Sequence, residues 1–125
     1  MGKLFDALGF GPKKKVILLG YDLGGAIALS CSMNKKLARA IELCIVFHPT
    51  WTDKIEKLSV ITLPTLLLWC PVETFHLVSA GQKMSKVIKN SLLYKLNIGP
   101  YTNEKAGGYY DSYAEELQKI VAGYI

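Results

Sequence analysis

Val16-Ile17-Leu18-Leu19-Gly20-Tyr21-Asp22-Leu23-Gly24-Gly25 is the stretch whose reading decides the fold of this chain. Its first four residues are an unbroken apolar run, the pattern of a strand buried on both faces. Leu23 to Met33, rich in Ala and Leu, follows at once and reads as a buried helix. No loop separates the two. So abrupt a reversal forces its central residue, Asp22, into a strained backbone conformation and needs glycine on both sides to avoid clashes. It would raise the Asp22 carboxylate above the sheet at a helix N-terminus, where the helix dipole favours negative charge. A plainer reading stands beside this one, in which Asp22 caps its helix by accepting backbone N–H bonds. The stretch is not a dinucleotide fingerprint, because no second glycine stands two positions after Gly20. Nor is it a phosphate-binding loop, because no Gly-Lys-Ser/Thr follows.

Outward from this turn, strands and helices alternate. Lys3 to Phe10 reads as a short helix or the end of one, stopped by Gly9, Gly11 and Pro12. Glu42 to Phe47 is the second strand, closed by His48-Pro49, and Thr65 to Trp69 the third, after a polar connection with one helical turn near Ile55 to Leu58. Ala80 to Lys89 supports a helix, Leu92 to Ile98 a fourth and more exposed strand, and Asp111 to Val121 an amphipathic closing helix. Such alternation predicts a three-layer α/β/α domain with a mostly parallel sheet of about four strands, because each crossover must pass over a face. Ligands in such sheets bind at the carboxyl ends of the strands. The residues that matter for function are therefore those just after each strand: 20–22, 48–51, 70–76 and 99–102.

Composition narrows the classes. The chain has 125 residues, half of them hydrophobic, enough for one core and too few for two. Its net charge is +5 and its pI about 9.1. However, Arg39 is the single arginine among fifteen cations, and the lysines are spread along the chain, so Lys13-Lys14-Lys15 reads as a solvated lead-in to a strand and no nucleic acid is expected. Cys31, Cys44 and Cys70 lie in apolar segments, too few and too far apart for a disulfide framework or a zinc site. They read as reduced thiols of a cytoplasmic protein. Met1 to Asp6 lacks the apolar core of a secretory leader, and Tyr21, Asp22 and the Gly pair interrupt Val16 to Met33 as a bilayer span, so no membrane is expected. No cofactor or metal is indicated.

The Gly-Tyr-Asp-Leu-Gly-Gly of residues 20–25, set after a buried strand, resembles the nucleophile elbow of the α/β-hydrolase superfamily. It resembles in particular the Asp form of haloalkane dehalogenases and epoxide hydrolases. Leu63 to Trp69 looks like the strand before the triad acid, Ser91 to Ile98 like the last strand, and Ser112 to Ile125 like the C-terminal helix. The resemblance implies one partial domain over 1–125, matching the C-terminal half of a hydrolase sheet and lacking a cap domain. It implies Asp22 as nucleophile, the Leu23 N–H as an oxyanion donor and Glu73 as the acid. The family's histidine is missing from its usual place, where Gly99 to Glu104 stands instead. His48 and His76 are the candidate replacements, both expected on the strand-end surface beside Asp22, although His48 before Pro49 also reads as a structural histidine. Tyr21 and Trp51 are candidate substrate contacts, with Trp51 and Trp69 also readable as core.

Two functions follow from the resemblance. One is hydrolysis of a small ester, epoxide or halide; the other is a catalytically silent hydrolase-like module that binds a small molecule or a protein. Half a sheet would also leave Val16 to Leu19 as an open apolar edge, which proteins avoid. The expected partner there is a second copy, making a homodimer, or the missing N-terminal half.

Overall fold

Ile41 to Phe47 and Thr65 to Trp69 are the most fully buried strands, and they form the centre of the sheet. The computed structural model describes residues 1–70, 77–96, 115 and 118–123. In chain order the elements are α1 (Gly2–Ala7), β1 (Val16–Tyr21), α2 (Leu23–Met33), α3 (Lys35–Ala38), β2 (Ile41–Phe47), a 3₁₀ helix (Ile55–Val60), β3 (Thr65–Trp69), α4 (Val78–Val87) and β4 (Ser91–Lys95). The four strands lie in the order β1-β2-β3-β4, every neighbouring pair parallel.

The sheet has a core on each face. On one, α2, α4 and the 3₁₀ helix pack against Val46, Leu67 and Trp69 around Leu29, Leu58, Ile61, Met84 and Ile88. On the other, Leu43, Ile45, Phe47, Leu66 and Leu68 meet Leu96, Ile120 and Val121, so the helical residues 118–123 supply the second covering layer. This is the three-layer arrangement that the alternation predicts. β4, with Leu92 and Tyr94 exposed, is the wetter edge strand anticipated for it.

Several boundaries differ from the sequence reading. β1 runs on through Gly20 and Tyr21, which pair with Val46 and Phe47, so the strand reaches right up to Asp22. β4 ends at Lys95, and residues 97 and 98 lie outside the described residues. The sequence reading does not anticipate α3. Asn34 starts it, its Oδ1 accepting from the Lys36 and Leu37 N–H groups at 3.0 and 3.1 Å.

β1 is an edge: among the described residues no strand pairs with its free side. Apolar side chains flank this edge on both faces. Leu19 and Tyr21 of β1 and Leu23 and Ile27 of α2 are all half or more exposed. α2 is apolar all round, as a helix buried between layers would be.

Candidate active site

Asp22 stands alone between the last residue of β1 and the first of α2, with φ 53° and ψ −122°. An L-residue with a side chain rarely occupies that region, which usually belongs to glycine. Three backbone bonds hold it there. Its N–H donates to the Phe47 carbonyl at 3.1 Å, and its own carbonyl accepts from Thr50 N–H at 2.9 Å and Ala26 N–H at 3.3 Å. The turn is thus tied both to its helix and to the end of β2.

Of the glycines around it, Gly20 and Gly25 are sterically required, whereas a Cβ at Gly24 would meet nothing. A Cβ at Gly20 would fall 2.3 Å from the Gly24 carbonyl oxygen, and one at Gly25 would fall 2.9 Å from Pro49 Cβ. Strand and helix approach too closely for any other residue. The Asp22 side chain makes no capping hydrogen bond to α2, so the plainer capping role is not what holds it there. Asp22 is half-buried as a residue and takes part in a further interaction. The Leu23 N–H lies in the first turn of α2, where a helical amide has no intrahelical acceptor.

His48, the second residue with positive φ (44°), follows β2 directly. The sequence reading puts it on the strand-end surface, whereas the structure buries it completely. Its Nε2 accepts the backbone N–H of Cys70 at 2.7 Å, which assigns the hydrogen of the neutral ring to Nδ1. The ring stacks on Phe47 at 4.3 Å and meets Trp69 edge-on at 5.5 Å. The cause is the left-handed turn at His48, which folds the ring back over the ends of β2 and β3. Glu73 and His76 lie outside the described residues. The geometry therefore brings Asp22 and the His48–Thr50 backbone together and leaves the acid and the second histidine unplaced.

Tyr21 is exposed at the open edge of β1, on the face away from α2. Trp51 is half-buried, its Nε1 donating to the Lys54 carbonyl at 3.3 Å, and it packs on the core while lining a cavity. Of its two readings, this packing meets the core one. The three cysteines are buried and form no disulfide, and burial pushes the Cys44 thiol up to about 11 against a partial offset from a Ser32 hydrogen bond. Among the described residues no group of three or more His, Cys, Asp or Glu could hold a metal ion, and no helix is long and apolar enough to cross a membrane.

Comparison with solved structures places this architecture. The chain is similar to a predicted CIB-like hydrolase from Thermoplasma acidophilum, with a TM-score of 0.77 at 16% identity over 98% of its length. It is similar to the same extent to MGS-MChE2, an α/β hydrolase enzyme from the metagenome of sediments of the Mar Chica lagoon in Morocco, with a TM-score of 0.78 at 14% identity over 98%. The fold is that of the α/β hydrolases. The chain spans only 55% of the first structure and 65% of the second, so its four strands correspond to part of a hydrolase sheet. No family model and no curated protein matches the sequence.

Proposed function

We propose that this chain is the nucleophile-bearing part of an α/β hydrolase acting on a small epoxide, halide or ester, and that residues 20–25 are its nucleophile elbow. The observation that carries this reading is Asp22 itself. A side-chain-bearing residue at φ 53° is costly, the surrounding glycines are fitted to it, and the carboxylate is not used as a helix cap. Strain kept at one polar side chain on the ligand-binding end of a parallel sheet is what a positioned nucleophile requires.

On an epoxide or haloalkane, an Asp22 oxygen attacks the electrophilic carbon. A C–O bond forms to the enzyme while the ring oxygen or the halide departs with the bonding pair. Water then cleaves the resulting ester, and a base must take its proton. On an ester, Asp22 serves as the anionic catalyst. The Leu23 N–H, in the first turn of α2, is the proposed oxyanion donor, with Tyr21 and Trp51 the proposed substrate contacts. Glu73 is the proposed acid. Of the two histidines His76 is the better base, because the Nε2 of His48 is already bonded to Cys70.

That same bond favours one second reading: a hydrolase-like module that binds a ligand without turnover. Nitrophenyl esters, epoxides and haloalkanes offered to the wild type and to Asp22→Asn separate the two. Turnover abolished by the substitution supports the hydrolase; no turnover from either protein supports the module.

The rest of the reading concerns setting and partners. Three buried cysteines outside any disulfide fit a reducing cytoplasm, and a single arginine fits a protein that does not engage nucleic acid. The open side of β1 calls for further strands, from a second copy in a homodimer or from the missing N-terminal half.

A further inference from the structure

Beside the Asp22 turn, a cavity of about 340 Å³ opens between the end of β2, the 3₁₀ helix and α4. Its size falls at the small end of ligand pockets, roughly 300–1,000 Å³. One side is apolar, formed by Trp51, Ile55, Trp69 and Met84. The other is the outward face of α4, where Ser79 and Lys83 stand one helical turn apart.

Two features make this more than a surface dent. The walls are fixed: Trp51 is tethered by its Nε1 to the Lys54 carbonyl, and α4 is pressed so closely onto Trp69 that a Cβ at Gly81 would meet the indole at 2.7 Å. The polar side is also unanswered by the described residues. Among the described residues neither Ser79 nor Lys83 has a side-chain hydrogen bond or an ion pair, whereas Lys57 and Lys36 each have an aspartate. A cation and a hydroxyl facing two indole walls suit a ligand with an apolar body and one anionic end.

The geometry points to this cavity as a binding site for a small carboxylate with an aliphatic or aromatic body, its carboxylate on Lys83 and Ser79 and its body between Trp51 and Trp69. A ligand can sit here in a protein that turns nothing over, so this proposal and the hydrolase reading fail separately.

The chain has two tryptophans, and both line the cavity, so its intrinsic fluorescence reports this site directly. Octanoate is the probe, with octanol and octylammonium as neutral and cationic counterparts of the same body. The expected result is a saturable change in emission with octanoate, about fivefold tighter than with octanol, the range of one exposed ion pair. Lys83→Gln should remove that advantage and Lys83→Arg restore it. Lys86→Gln, on the same helix but outside the cavity, should leave it intact, and high salt should erase it. No saturable change with octanoate, equal affinity for octanoate and octylammonium, or full affinity in Lys83→Gln would each overturn the proposal.

Discussion

Gly25 lies so close to Pro49 that an added methyl group would sit 2.9 Å from the proline Cβ and 3.0 Å from its Cα. This contact locks the first turn of α2 onto the end of β2 and so sets where Asp22 stands relative to the His48–Thr50 segment. Gly25→Ala must push the two apart, at an expected cost of about 2–3 kcal/mol in stability. Gly20→Ala should cost at least as much, because its Cβ would meet backbone, which cannot rotate away. Urea unfolding of the two variants measures both, and a midpoint unchanged in either would mean that the close approach is absent.

Asp22 should behave as a residue that harms stability. Glycine adopts φ 53° without strain, so Asp22→Gly is expected to raise stability by about 1 kcal/mol, a rise of a few degrees in melting temperature. It should at the same time remove any turnover. A destabilising Asp22→Gly would show that the carboxylate holds the fold together instead of serving a reaction.

His48 should show the opposite profile. Truncation to alanine removes ring contacts with Phe47 and Trp69 and orphans the buried Cys70 N–H. His48→Ala is expected to cost about 3 kcal/mol by thermal or denaturant unfolding. A loss below about 0.5 kcal/mol would contradict the buried structural role.

Cys44 sets an alkaline limit. Its thiol is held up to about 11 by burial, from an ordinary 9.0, so the folded state favours the protonated form. The stability tied to it is complete below pH 9 and is lost as pH rises towards 11, because the unfolded chain ionises first. The loss is on the order of 2 kcal/mol. Urea midpoints measured at pH 8, 9.5 and 10.5 should fall more steeply in the wild type than in Cys44→Ala. Parallel slopes would contradict the assignment.

The exposed β1 edge yields a test of assembly. Light scattering at micromolar concentration should give twice the 13.8 kDa of one chain, and Leu19→Lys should return the single-chain mass. A wild-type mass of one chain would remove the homodimer.

Elements set by local pattern were legible in the sequence. The apolar runs gave β2 and β3 nearly to the residue, and the Ala-rich segment gave α2 with both its ends. The apolar run marks β1 only to Leu19, two residues short of its end, because Gly20 signals a turn as readily as a strand packed closely on a helix. α3 is only four residues long, too short for an apolar period to mark it. The structural reading of His48 was open to the sequence but its partner was not, since that is the Cys70 N–H, 22 residues further on at the end of the neighbouring strand. The same holds for Pro49 against Gly25: a contact between segments leaves no local trace. Glu73 and His76, and most of Asp111 to Val121, lie outside the described residues, so their expected roles stand as proposals.

The most direct test is covalent trapping. The protein, incubated with an epoxide or haloalkane and quenched in acid, should carry the added mass on the tryptic peptide of residues 16–35, which contains Asp22. Asp22→Asn should carry none. An unmodified peptide in the wild type, or the same adduct in Asp22→Asn, would contradict the claim that this aspartate is a nucleophile.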